Sequence, residues 1–309
     1  MRRLELSPAA YRRITLAALV ALAVIVVTGA AVRLTGSGLG CPDWPTCNKG
    51  RLVPPWEHKA LVEYTNRVFT GVVSVASAVA VLGSLVRRPR RRDLVWLSVP
   101  LVVGVFAQAL LGALAVRFKL RPELVMAHFL LSMVLVADAV VLHERASRPD
   151  DAPSRPVVGR DVAALGRLLV VAAAVTLFLG TVVTGAGPHG GDEHVERLPF
   201  LLPDVARLHG TSVMVFLALT LLTLWRLRAA GAPAPLLGRA ELLLGVLVAQ
   251  AAVGYTQYFT GVPAVLVGIH VAGAAAVWVA TLRFVLALSA PAAALAPEPG
   301  PVAETALVG

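Results

Sequence analysis

Of the 309 residues, 57% are apolar and only 15% are charged, and the apolar residues gather into runs of about twenty, the length that crosses a hydrocarbon core of about 30 Å. That pattern excludes a water-soluble globular domain and describes a chain that crosses the bilayer several times. The formal net charge of +10 lies between these runs, where it reads as a topology signal and implies no nucleic-acid partner.

Taken in chain order, spans are expected at 14–33, 61–86, 94–116, 124–143, 162–186, 204–226, 237–258 and 263–288. The first run is longer than a signal-peptide core and ends in a loop without a clean processing site, so no cleavable leader is expected. The segments 1–13, 87–93, 144–167 and 226–239 hold seventeen of the 28 basic residues, including Arg87-Arg88-Pro89-Arg90-Arg91-Arg92. By the positive-inside rule these segments face the cytoplasm, and so do both termini. Segment 144–161 reads as a solvated linker between two four-helix halves, 1–143 and 162–288, and the stretch 289–309 as a disordered cytoplasmic tail. The fold class expected is an all-α membrane protein whose eight helices form two pseudo-symmetric four-helix bundles.

Internal repetition supports the two halves. Gln108-Ala-Leu-Leu-Gly112 stands twenty residues before His128, and Gln250-Ala-Ala-Val-Gly254 stands twenty before His270. Val26-Val-Thr-Gly-Ala30 ends the first helix of one half, and Val182-Val-Thr-Gly-Ala186 the first helix of the other. Four helices per half leave both repeats in one orientation, which predicts a pseudo-twofold axis along the membrane normal. In the same frame His209 corresponds to Asn66, so Asn66, His128, His209 and His270 occupy four equivalent places, each one to two turns below the outer surface.

Ionisable groups inside a membrane face a bundle interior, and two imidazoles on facing helices are able to clasp one haem iron. The alternatives are histidines that bond a neighbouring helix as packing glue, a proton relay or transporter, and zinc. A relay lacks a carboxylate chain, since Asp138 stands by itself, and zinc lacks further ligands in the second half. His58, His143, His189 and His194 fall in loops or at a helix end and read as solvated.

Glu63, Asn66 and Arg67 share one helix face. Glu63 and Arg67 form either an interfacial salt bridge, with Tyr64 as an aromatic anchor, or part of a pocket in which the carboxylate moves protons or binds positive charge. The second half has Ala206 at the place of Glu63, so the halves are expected to divide their labour. Cys41 and Cys47, the only cysteines, lie in the first outer loop, where an oxidising compartment permits a disulfide, redox-active or structural; a metal pair is the competing reading.

These residues together resemble the haem A synthases of bacteria and mitochondria. The resemblance covers the whole chain: eight helices in two halves, Glu63-Tyr-Thr-Asn66-Arg67, the Cys41 and Cys47 pair, and histidines in helices 4, 6 and 8. It implies a plasma-membrane oxidoreductase that turns the C8 methyl of haem O into the formyl of haem A by successive hydroxylations. On this likeness His209 and His270 are axial ligands of a cofactor haem b in the C-terminal half. His128 faces the iron of haem O in the N-terminal half, with Asn66 and Arg67 close to the haem, and Glu63 matches the catalytic acid. The partners implied are a haem O-producing farnesyltransferase and cytochrome oxidase assembly factors. Arg33, Arg67, Arg117 and Lys119 are candidates for the haem propionates, or equally for snorkelling at the interface.

The chain departs from the family at Asn66, where many relatives have histidine, and at Gly187-Pro-His-Gly-Gly-Asp-Glu-His194, where some carry a second cysteine pair. A b-type electron carrier without substrate chemistry and a haem transporter are the competing functions. Glu63 separates the carrier from the synthase, because an electron carrier has no need of a carboxylate beside one haem only.

Overall fold

The computed structural model describes residues 5–48, 50, 53–150 and 154–291. Among these, eight long helices account for the architecture: α1 (Pro8–Leu34), α2 (His58–Val86), α3 (Arg92–Arg117), α4 (Pro122–Ala146), α5 (Arg160–Ala186), α6 (Leu202–Ala229), α7 (Ala234–Phe259) and α8 (Ala264–Ala287). All eight are long and apolar enough to cross a bilayer, as the runs in the sequence require. The ends extend beyond the apolar runs where capping chemistry allows. In α1 Pro8 follows the N-cap Ser7, whose hydroxyl accepts from Ala10 N–H at 3.2 Å, and the helix begins a turn and a half before the apolar stretch.

The membrane decides which faces are apolar. Large apolar side chains cover the outside, among them Val72, Val75, Trp96, Val103, Phe106, Phe259 and Val265, an arrangement untenable in water and ordinary against lipid. Inside, Tyr11, Leu94, Leu101, Val136, Leu142, Leu169, Leu243 and Phe284 form one continuous core. Small residues let helices close on each other: at Gly104 a Cβ would lie 2.2 Å from Leu135 Cδ2, so only glycine lets α3 rest on α4 at that depth.

Each half is built from helix hairpins, α1 with α2 and α3 with α4, then α5 with α6 and α7 with α8; α1, α4, α5 and α8 meet at the junction between halves. Among the bonds that cross that junction, Trp278 Nε1 donates to Met133 O at 2.9 Å and Arg33 Nη2, in the last turn of α1, donates to Thr184 O at 2.6 Å.

The face that carries the basic connections is more ordered than its composition predicts. Arg87, almost wholly buried, pairs with Asp150 at 2.5 Å and also donates to Pro89 O. Glu144 receives both Arg239 and Arg283. The linker read as solvated contains a short strand, β1 (Ser154–Pro156), which pairs antiparallel with β2 (Ser289–Pro291) at the start of the expected tail. Arg148 reinforces the junction by donating to Leu286 O and Ser289 O. The linker and the first tail residues are therefore tied together, because the ends of α4, α5 and α8 bring their unpaired backbone groups side by side. Residues 151–153 of the linker and 292–309 of the tail lie outside the described residues.

Candidate functional site

The C-terminal half brings two of its histidines together. His209 lies in the second turn of α6 and His270 in the second turn of α8. Their ring centres are 6.4 Å apart and their planes cross at 77°. Space for the rings comes from glycines on the neighbouring helices: a Cβ at Gly180 would stand 3.3 Å from His209 Cε1, and one at Gly254 2.9 Å from His270 Cε1. The first of these would crowd the ring and the second would displace it. Gln250 Nε2 donates to His270 O at 2.8 Å, and Ser212 Oγ to His209 O at 2.7 Å, so the backbone at both histidines is fixed. Nδ1 of each ring is buried without a hydrogen-bond partner.

This pair fits a haem. An iron held about 2 Å from each of two imidazole nitrogens requires ring centres roughly 6 Å apart. Rings that serve only as packing bond the neighbouring helices through their nitrogens; His209 has the Thr176 backbone of α5 near it, whereas the buried Nδ1 of His270 is left unpaired. Among the described residues no group of three or more His, Cys, Asp or Glu side chains is placed to hold a free metal ion.

The N-terminal half repeats the frame with different contents. His128 lies in the second turn of α4, with Gly112 beneath it, where a Cβ would stand 3.7 Å from His128 Cε1. Gln108 Nε2 donates to His128 O at 3.0 Å and to Ser132 Oγ at 2.7 Å. The repeated glutamine thus has one task in both halves, gripping the carbonyl of the histidine twenty residues on, whereas the glycine is needed for the ring only at Gly254, since a Cβ at Gly112 would make an ordinary contact. His128 Nδ1, like its counterparts, is buried without a partner. Asn66, early in the third turn of α2, accepts from Thr28 Oγ1 at 2.7 Å through its carboxamide oxygen, which leaves the amide NH2 as its remaining polar group.

Glu63 is one turn above Asn66 and nearly buried. Its Oε2 accepts from Cys41 N–H at 2.7 Å, and its Oε1 from Arg67 Nε at 3.1 Å and Nη2 at 2.5 Å. Arg67 donates further from Nη1 to Asp43 O at 2.8 Å and Thr46 O at 3.1 Å, and from Nη2 to Cys41 O at 2.9 Å. The five N–H donors of its guanidinium are therefore all engaged within the protein. The salt bridge is real, and Arg67 has no donor left for a haem carboxylate; its role is to clamp Glu63 to the outer loop.

Cys41 and Cys47 are joined as a disulfide, and both are buried. Close packing on α2 buries them: a Cβ at Gly40 would fall 2.3 Å from Lys59 O, so glycine alone lets the loop lie on the helix start. That approach is also what brings Cys41 N–H to Glu63.

Among the other candidates, Arg117 and Lys119 are exposed and fit the snorkelling reading, whereas Arg33 is half-buried at the junction of the halves. His58 and His194 are exposed as expected. His143 and His189 are not simply solvated: His143 Nδ1 bonds Thr15 Oγ1 at 3.0 Å and His189 Nε2 bonds Val262 O at 2.8 Å.

Residues 12–188 match the COX15-CtaA family, described as cytochrome oxidase assembly protein. The chain belongs to that family. The matched region contains Glu63, Asn66, Arg67, His128 and both cysteines, so the clamp and the His128 frame sit inside the family's defining part. Among similar proteins, "Heme A synthase" of Bacillus pumilus is 36% identical over 121 residues, 38% of this chain and 39% of that protein. "Heme A synthase" of Bacillus licheniformis is 32% identical over 124 residues, 40% of this chain and 41% of the relative. That of Listeria welshimeri is 32% identical over 127 residues, again 40% and 41%. The chain therefore matches about two fifths of the length of these relatives.

Two contributors to the site carried no signal in the sequence: Thr28, which holds Asn66, and Gly180, which makes room for His209. Thr28 and Gly180 lie at or near the repeated Val-Val-Thr-Gly segment, which marked them as helix ends and carried no sign of what they touch.

Proposed function

We propose that the protein is a haem A synthase of the plasma membrane, with both termini cytoplasmic, oxidising the C8 methyl of haem O to a formyl group by successive hydroxylations. The observation that carries this reading is the unequal furnishing of two similar frames. One half holds two imidazoles at haem-clasping distance, and the other holds one imidazole with an anchored carboxylate one turn from an asparagine.

In this reading His209 and His270 hold haem b, which when bound supplies one-electron transfer. The protein's part is to fix the ring orientation through Gln250 and Ser212, to keep water out with the apolar core, and to deny the iron an open position. His128 faces the iron of the substrate, haem O, and Asn66 leaves the opposite side without a second imidazole. An asparagine carboxamide is a poor iron ligand, so that side stays accessible to chemistry.

Glu63 is held as the ion-pair partner of Arg67 with both oxygens aimed by donors on opposite sides. It is placed to accept a proton released near the substrate or to stabilise positive charge developing there. Its fixed orientation saves the reorganisation that a mobile carboxylate would undergo. The apolar tail of haem O lies among helices or lipid. A haem O-producing farnesyltransferase supplies the substrate, and cytochrome oxidase assembly factors receive the product.

Co-expression with a haem O-producing farnesyltransferase, followed by chromatography of extracted haems, tests the reading. Haem A or hydroxylated haem O is expected. Protohaem alone, with haem O present in the cells, would support an electron carrier instead.

A further inference from the structure

Two guanidiniums meet at the outer end of the junction between halves with no carboxylate partner among the described residues. Arg33, at the end of α1, gives one bond to Thr184 O, and Arg197, in the connection between α5 and α6, gives one to Pro188 O. The Arg197 charge is near enough to act on Arg33. The acids in the same connection are placed elsewhere: Glu193 pairs with Lys59, Asp192 accepts from His194 N–H, and Glu196 is exposed. Burial holds the Arg197 guanidinium below its ordinary pKa, with no carboxylate to offset the effect. Two permanent like charges drawn partly out of water call for an anion beside them.

Arg197 also lines an open cavity of about 540 Å³, together with Gly187, Pro188, Leu202, Tyr258 and Val262. That size is ordinary for a cofactor site. Its place in the fold ties it to the histidine pair. Leu202 precedes His209 by seven residues on one face of α6, about 10 Å of helical rise. Tyr258 stands one turn outward from Gly254, the residue against which His270 rests. Val262 leads into α8, the helix that carries His270. The cavity therefore lies beside the helix turns next to those that carry the two rings, with an apolar lining, one cation and one tyrosine. A flat apolar body with carboxylates on its outward edge has that chemistry.

We propose that Arg197, with Tyr258 lining the same cavity and Arg33 adding positive charge, binds the propionates of the haem held by His209 and His270. This rests on the assignment of that histidine pair made above. Arg197 then sets both haem retention and potential, because a cation at the propionates favours the reduced, less positive iron centre.

The test compares purified wild type with Arg197→Gln, Arg197→Lys and Tyr258→Phe by redox potentiometry of the low-spin haem and by the rate of haem transfer to apomyoglobin. Arg197→Gln is expected to lower the midpoint potential and to speed haem loss about tenfold, the effect of one charge-assisted hydrogen bond. Arg197→Lys should keep most of the potential and lose part of the retention, since it keeps charge without the fork. Tyr258→Phe should move both quantities less, in the same direction. An intact low-spin spectrum with unchanged potential and retention in Arg197→Gln overturns the inference. If that variant does not accumulate, wild-type values in both Arg197→Lys and Tyr258→Phe overturn it, and losses in them uphold it. A wild type without any bis-imidazole low-spin signal overturns the underlying haem assignment instead.

Discussion

The two halves have the same skeleton and different contents. In both, a glutamine side chain grips the backbone carbonyl of a histidine twenty residues later, at 3.0 Å from Gln108 to His128 and 2.8 Å from Gln250 to His270. In both, a glycine four residues after the glutamine faces that imidazole. What differs is the partner helix: α6 presents a second imidazole, whereas α2 presents Asn66 bonded to Thr28 and, one turn above, Glu63 clamped by Arg67. On the function proposed above, a frame that keeps two imidazoles on one side and has an amide and an acid on the other would separate electron storage from bond-making.

The largest expected effect breaks the C-terminal half alone. His270→Ala or His209→Ala should abolish the low-spin haem spectrum and, with it, product formation, because one remaining imidazole leaves an open iron position and weak retention. Optical and EPR spectra of the purified variants check this; an unchanged low-spin signal in both single variants would remove the bis-imidazole assignment.

Breaking the N-terminal half should leave that spectrum in place. Glu63→Gln keeps the shape of the side chain and removes its charge, so haem A formation is expected to fall at least a hundredfold, in the range of a lost general acid or base, while the b-type spectrum stays. Product levels near wild type in extracted haems would mean that Glu63 serves only to anchor the loop through Arg67.

A smaller effect is expected at the disulfide. Cys41 and Cys47 enclose a short loop whose closure contributes about 2 kcal/mol by the chain-entropy estimate. The same loop supplies the N–H that fixes Glu63 Oε2 and three carbonyls for Arg67. Cys41→Ser and Cys47→Ser should therefore reduce activity equally and by several-fold, with the haem b spectrum unaffected. Unequal losses would show that one sulfur has a role of its own, and thiol labelling of the untreated protein checks that both start oxidised.

The eight spans were legible because lipid demands long apolar runs, and the repeated Gln and His because duplication leaves fixed offsets. Arg67 shows where such reading stops. Its spacing from Glu63 revealed one of its partners, but Asp43, Thr46 and Cys41 reach it through a loop whose path depends on Gly40 lying against the Lys59 carbonyl. No periodicity encodes that approach. The same holds for β1 and β2, whose three-residue pairing depends on where α4, α5 and α8 end. Arg197 lay hidden among Asp192, Glu193 and Glu196, where a basic residue looks neutralised until the structure assigns those acids elsewhere.

The last prediction makes the halves more alike. Asn66→His puts an imidazole at the place that His209 occupies in the other half. The substitution removes the bond from Thr28, at a cost of about 1 kcal/mol, since hydrogen bonds between membrane helices average below that value, so the protein should still fold. With haem O present, the variant is expected to gain a second six-coordinate low-spin signal while keeping the first, and to form less haem A because the accessible side of the substrate iron is closed. Redox titration of the wild type should resolve a single bis-imidazole species. If it resolves two without any substitution, another histidine completes the N-terminal site, and the contrast between a storing half and a reacting half must rest on Glu63 alone.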